Sequence, residues 1–301
     1  MKKFAAISVW VLLLSCERTI EIDVPEQTSR LVINGQWPQN RFFSVHISKS
    51  FTITDSFSYN TSSIRYLVKN AFVLVKENGT PVDTLKWDSL NIRYSSTKKR
   101  TKLDSSYSIE VSAPGFVTAT ASSSMPAFIR PSKIAIKKDV RTSSDDQLQS
   151  EVAVTFTDFP SSNYYLFRFR TIKGGISCIN TNDNVVEKTG LSDPFDTDHC
   201  FSGNKLLVKD ETFNGKEKTI VFYVNTADLL PAVDPVSRRT VRPWLEMMHI
   251  HKDYFNYIKS VNIYDDVNGN PLAEPVNVVS NVRNGYGFFS VYTLSVDTLR
   301  L

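Results

Sequence analysis

The chain is 301 residues long, with 35 Lys and Arg against 31 Asp and Glu, and 41% of its residues are hydrophobic. This near-balance of charge argues against nucleic acid as a partner, which would call for a strong basic stripe. The length is enough for a sizeable core and implies two domains or one large β domain.

The chain opens Met1-Lys2-Lys3, continues as an apolar run over 4–14, and closes that run with Ser15-Cys16. Positive charge, then an apolar stretch, then a small residue is the order of a secretory signal. About 11 residues make a helix of roughly 16 Å, too short to span a hydrocarbon core of about 30 Å comfortably. A short buried helix would have no reason to start on two lysines or to end in polar Cys16-Glu17-Arg18. Leu13-Leu14-Ser15-Cys16 resembles the lipobox of bacterial lipoproteins, with Leu14 bulkier than is usual at its position. The resemblance implies lipidation of Cys16 and cleavage just before it. Several acyl chains, at about 0.8 kcal/mol per buried CH₂, would anchor the protein permanently. The alternative is an ordinary secreted protein with a chance cysteine at 16. Residues 1–15 are thus read as a lipoprotein signal peptide. Residues 16–29, polar and carrying Glu21, Asp23 and Glu26, are read as a tether.

Strand-like runs follow. Residues 30–34 stop at Gly35, and 43–48 alternate apolar with polar, the period of a half-buried strand. Residues 71–76 end at Asn78-Gly79, and 82–87 come next. The basic cluster Lys98-Lys99-Arg100-Thr101-Lys102 reads as a solvated loop, with a contact to anionic lipid as the other reading. Residues 107–111 run into Pro114-Gly115, and 116–121 follow. Short strands with turn residues between them predict a β-sandwich over 30–125. Met125-Pro126 and Arg130-Pro131 mark a boundary, and 126–301 reads as a second β-rich domain. Its predicted strands are 133–136, 151–157, 164–170, 218–224 and 244–250, with a polar insertion over about 173–203. Tyr254, Tyr257, Ile258 and Val261 fall at helical spacing and predict one amphipathic helix on the sheet. Asn284-Gly285 between 276–282 and 288–294 predicts a closing hairpin. The fold class is therefore mainly β, an Ig-like or prealbumin-like sandwich followed by a β-rich domain with one helix.

Candidate chemistry is sparse. There is no Gly-x-Ser-x-Gly elbow, no His-Glu-x-x-His, no phosphate-binding glycine loop and no dinucleotide fingerprint. Ser96-Thr97-Lys98-Lys99 matches Ser-x-x-Lys only in form. His249-Ile250-His251 would put two imidazoles on one face of a strand, without an evident third metal ligand; the other histidines are His46 and His199. Asp265-Asp266-Val267-Asn268-Gly269-Asn270 is rich in oxygen ligands, yet Val276 stands where a calcium loop closes on an acid, so it reads as a polar turn. No catalytic residue, metal or cofactor is expected. Asp83-Thr84-Leu85, Asp88-Ser89-Leu90 and Asp297-Thr298-Leu299 resemble O-glycosylation sites of Bacteroidota exports. Beyond Cys16 the cysteines are Cys178 and Cys200. In an oxidising compartment the pair is expected to bridge, worth about 3 kcal/mol in the chain-entropy model, with two free buried thiols as the alternative.

The pieces taken together resemble the domain-of-unknown-function family 4249, lipoproteins of Bacteroidota-type bacteria. The likeness runs from Cys16 to Pro25 and Leu31-Val32-Ile33-Asn34-Gly35, through Asn70-Ala71-Phe72-Val73, Tyr107-Ser108-Ile109-Glu110-Val111 and Ala113-Pro114-Gly115-Phe116. It continues in Asp210-Glu211-Thr212-Phe213-Asn214-Gly215, Tyr254, Tyr257, Pro271, Glu274-Pro275-Val276 and the stretch from Ser280 to Phe289. The resemblance implies an outer-membrane location, periplasmic or surface-exposed, and company with TonB-dependent receptors. It supplies no catalytic residues. The expected function is a non-enzymatic accessory or binding lipoprotein; the alternatives are a structural or adhesive surface module and a surface hydrolase. If Cys178 and Cys200 are bridged, alkylation of the denatured, exported protein will label neither cysteine until a reductant is added. Labelling of both without reductant would mean free thiols.

Overall fold

The computed structural model describes residues 28–51, 65–143, 145–175, 179–187, 205–267, 274 and 276–301. The lipobox with Cys16, both remaining cysteines Cys178 and Cys200, and His199 lie outside the described residues.

Alternation builds the first core. In β1 (Leu31–Pro38) the side chains of Leu31, Ile33 and Trp37 are buried, while Asn34 and Gln36 face out. In β2 (Phe42–Lys49), Phe43, Val45 and Ile47 do the same. The inward residues of β3 (Phe72–Glu77), β4 (Thr80–Asp88), β5 (Arg93–Arg100), β6 (Ser106–Ser112) and β7 (Ala119–Ser124) join them in one cluster with Tyr94, Tyr107 and Val111. Neighbouring strands pair in the order β1-β2-β5-β4-β3-β6-β7. The sheet then curls back on itself, since Thr120 of β7 bridges Arg283 beside the last strand. Trp37 sits at the centre, 4.7 Å from the Phe289 ring and 4.8 Å from that of Phe43.

The second core lies between two sheets. A four-stranded sheet, β12-β14-β9-β8, consists of β8 (Lys133–Thr142), β9 (Leu148–Thr157), β12 (Ile179–Asn180) and β14 (Glu217–Asn225). It packs Val154, Phe156 and Phe222 onto Phe167, Phe169 and Met247 of β10 (Tyr164–Thr171) and β17 (Trp244–Ile250). The short strands β11 (Gly174–Gly175) and β13 (Leu206–Lys209) pair with β10, and β15 (Ala232–Val233) pairs with β16 (Thr240–Val241). The helix α1 (Lys252–Val267) covers the other face of β10, β17 and the last strand, β18 (Tyr286–Thr298). Those strands are buried on both faces, which is why they read as continuous apolar runs rather than alternating ones. Tyr257 stacks on Phe288 at 4.4 Å and 12°, and Tyr254, also against Phe288, donates its hydroxyl to Gln36 Oε1 at 2.7 Å. Aromatic pairs of this kind add about 0.5–1.5 kcal/mol each beyond their buried area. The molecule is mainly β with a single helix among the described residues, as its patterning predicts.

The 13-residue strand β18, C-terminal to the sequence division at 125/126, puts Phe289 and Val291 into the first core and Phe288 and Tyr292 under α1. Its first half pairs parallel with β1, Val32 to Tyr286 through Pro38 to Tyr292. Its second half pairs antiparallel with β17, Thr293 to His249 through Thr298 to Trp244. Where a neighbouring strand is missing, a side-chain amide takes its place. Asn281 donates to Phe289 O at 2.7 Å and accepts from Phe289 N at 3.0 Å. Gln39 does the same for Leu294 at 2.7 Å each way.

Four local expectations are corrected. The predicted closing hairpin has no first arm: 276–282 form no strand, and the Asn281 side chain pairs with β18 instead. β1 does not stop at Gly35 but runs through it, paired with Phe289 of β18, and the glycine leaves room for the Phe289 ring, 3.1 Å from where a Cβ would stand. The basic cluster is no free loop: Lys98, Lys99 and Arg100 end β5, Thr101 is buried, and the Arg100 guanidinium lies 4.0 Å over the Phe42 ring. Asp265, expected in a turn, lies in α1.

Gly287 has φ +95°, and a Cβ there would stand 2.2 Å from Ile33 O. Gly79 has φ +80° with open space around it. Gly287→Ala should therefore cost roughly 3 kcal/mol or more, and Gly79→Ala only about 1–2 kcal/mol from backbone strain alone. Denaturant midpoints of the two variants compare the costs directly; equal losses would mean that the close β1–β18 approach carries no energetic weight.

Candidate functional site

The outward face of β1, β2 and β5 forms an open groove of about 470 Å³. Register builds it. Asn34 pairs with His46 across β1 and β2, and Ser44 pairs with Ser95 and Val45 with Tyr94 across β2 and β5. Counting one step on from Val45 sets His46 beside Arg93. One row across three strands thus reads Asn34, His46, Arg93, and the next reads Gln36, Ser44, Ser95. Gln36, Ser44, Asn91, Leu67 and Ile92 complete the lining, and among these described residues none is acidic.

The turn between β4 and β5 shapes one end of the groove. Asp88 accepts hydrogen bonds from the backbone N–H groups of Leu90 at 3.0 Å and Asn91 at 3.2 Å, and from Asn91 Nδ2 at 2.7 Å. Those bonds hold the Asp88 carboxyl below the usual range. Ile92 follows at φ 52°, a left-handed conformation that a β-branched residue rarely adopts. Burial, and then the Arg93 charge, hold the His46 imidazole below its ordinary value, so it is uncharged at neutral pH.

A second concavity, about 550 Å³, lies where the 124–127 connection meets β10 and β17, and both His249 and His251 line it. The two imidazoles do not form a pair on one strand face. His249 is buried with its Nδ1 2.8 Å from Ala127 O, and burial lowers its pKa. His251 is exposed just past the strand, and its carbonyl accepts the first N–H groups of α1. Behind this cavity sits a buried polar cluster. Asp158 accepts the Tyr165 hydroxyl through Oδ1 and Gly215 N through Oδ2 at 2.8 Å. Asp210 accepts Asn163 N at 2.7 Å. Burial drives the Tyr165 hydroxyl far above its ordinary value, and burial with the Asp158 charge raises Asp210 despite the Asn163 N–H. Every one of these bonds closes a loop of the second core. Among the described residues no three His, Cys, Asp or Glu side chains gather as a metal site.

The remaining sequence candidates are scattered. Thr84, Ser89 and Thr298 are all exposed: Thr84 on β4 and Ser89 just after it line one concavity, and Thr298 ends β18. Ser96 accepts the N–H groups of Lys98 and Lys99 within β5, far from a helix start. Sequence reading did not pick out Asn34, Gln36, Asn91 or Arg93. The signal was present as polar residues on the outer positions of alternating strands, but only the register of β1, β2 and β5 brings them together.

A family model described as a domain of unknown function (DUF4249) matches residues 17–297. No curated protein matches the chain.

Asp210 is a carboxyl raised above its ordinary value, so its contribution to stability is present at acid pH and is lost as pH rises through its folded pKa. Asp210→Asn should therefore gain stability relative to the parent near pH 7–8. The gain should shrink below about pH 4, where the parent carries a protonated acid in the same place. Thermal melts across that range measure it; a gain that grows on acidification would reverse the sign.

Proposed function

Because the chain belongs to the DUF4249 family, we propose that it is an outer-membrane lipoprotein, anchored through Cys16, that serves as a non-enzymatic binding or accessory component alongside a TonB-dependent transporter. The observation that carries the reading is a division of labour among polar side chains. The groups able to do acid–base chemistry at the junction, Asp158, Asp210, Tyr165 and His249, are spent on hydrogen bonds within the fold. The groups left facing solvent in a groove are mostly amides and hydroxyls with one guanidinium, which bind ligands, and the one imidazole there, His46, has no acidic residue in the lining to partner it in acid–base chemistry. Among the described residues no helix is long and apolar enough to cross a membrane, so attachment falls to the lipid in this reading.

The hydrolase reading has one observation in its favour, the cavity lined by both His249 and His251. It has against it that His249 is fixed on a backbone carbonyl by one ring nitrogen and stacked flat on Phe159 at 5.9 Å and 16°.

The test is fractionation of the native host followed by purification in mild detergent. The parent protein should appear in the outer-membrane fraction carrying acyl chains and should bring a β-barrel receptor with it, while Cys16→Ala should move to the soluble fraction. A Cys16→Ala protein that stays equally membrane-bound removes the anchor. Isolation of the parent as a lone monomer removes the accessory role.

A further inference from the structure

The groove across β1, β2 and β5 has a more definite chemistry than polarity alone. Arg93 donates through Nε to Asn91 O at 3.2 Å, and among the described residues it makes no ion pair. Its register partner on β4 is Asp88, whose oxygens are already taken by Leu90 N, Asn91 N and Asn91 Nδ2. The outer edge of the guanidinium therefore makes no hydrogen bond among the described residues, although Asp88 nearby feels its charge, and the groove has no acidic lining residue. That edge is shaped to take a carboxylate through two parallel hydrogen bonds.

The neighbours suit hydroxyl groups. Gln36 Oε1 already accepts the Tyr254 hydroxyl, which leaves its NH₂ free to donate. Asn91 spends its NH₂ on Asp88, which leaves its oxygen free to accept. Asn34 and Ser44 add groups that both donate and accept. Strands spaced at about 4.8 Å put the Asn34 and Arg93 columns roughly 10 Å apart, a reach that suits two linked sugar rings better than a single small ion. Leu67 and Ile92 supply apolar contact at the sides. Ile92 is held at φ 52° in the β4–β5 turn at this rim.

We propose, building on the binding-component reading, that this groove binds an acidic oligosaccharide, with a sugar carboxylate on Arg93 and sugar hydroxyls on Asn34, Gln36, Ser44 and Asn91. His46, between Asn34 and Arg93, donates one ring N–H to the same ligand.

Calorimetric titration of the full detergent-purified protein tests this with three probes: digalacturonate, the neutral digalactose of the same linkage, and inorganic phosphate. Digalacturonate should bind about tenfold or more tighter than digalactose, the scale of one charge-assisted bidentate pair. Arg93→Ala should abolish that preference, and Asn34→Ala should weaken both sugars together. Arg93 is exposed, so unchanged melting of Arg93→Ala confirms an intact fold. Equal affinity for the two sugars, or a preference that survives Arg93→Ala, overturns the acidic-sugar assignment while leaving a binding role standing. Phosphate binding as tightly as digalacturonate reduces the groove to an anion site and overturns the sugar. No binding of any probe overturns the ligand assignment, whereas the receptor co-purification above decides the binding-component reading separately.

Discussion

The backbone of β18 must satisfy its hydrogen bonds on both edges while it passes from one core to the other, and the rest of the molecule is arranged around that demand. An unpaired buried N–H or C=O costs about as much as a lost hydrogen bond. β1 supplies partners as far as Tyr292, and β17 supplies them from Thr293 onward. The gaps are closed by side chains that imitate a strand: Gln39 at Leu294, Asn281 at Phe289, and Ser123 Oγ, which accepts Val291 N at 3.1 Å. The same strand crowds its neighbours, so its glycines are explained by distance. A Cβ at Gly285 would meet Leu31 O at 2.5 Å, and one at Gly287 would meet Ile33 O closer still.

This arrangement makes the two cores mechanically continuous. Ala127 O, in the connection between them, accepts from Thr293 Oγ1 at 3.1 Å and lies 2.8 Å from His249 Nδ1. The helix adds a third tie, since the Tyr254 hydroxyl reaches Gln36 on β1 while its ring lies against Phe288 on β18. The groove on β1, β2 and β5 thereby keeps its donors in fixed register. Preorganisation of that kind lowers the ordering cost of binding a flexible polar ligand.

Polar chemistry is distributed accordingly. Buried acids near the second core serve the fold: Asp158 and Asp210 hold the 210–216 segment against β10 and its preceding loop. The exposed face of the first core carries the groups that remain available. In the groove the Arg93 guanidinium is the one cationic side chain beside an imidazole whose pKa burial lowers.

The sequence by itself determined the mainly β class, most of the strands and the single helix, because period-2 alternation, continuous apolar runs and the Tyr254–Ile258 spacing are local signals. It also carried the family fingerprint: Leu31 to Gly35, the glycines around 285–287, and Tyr254 with Tyr257 gather at the crossing of β1, β18 and α1. What only the tertiary structure decided is pairing over long separations. β1 lies beside a strand more than 250 residues away, Asn281 replaces the arm of an expected hairpin, and Asn34, His46 and Arg93 meet in one row. The physical reason is that a strand's own residues specify which face is buried but not which backbone lies at its edge. That choice is made by packing of the whole sheet, through close approaches such as Gly287 on Ile33 that no local pattern encodes.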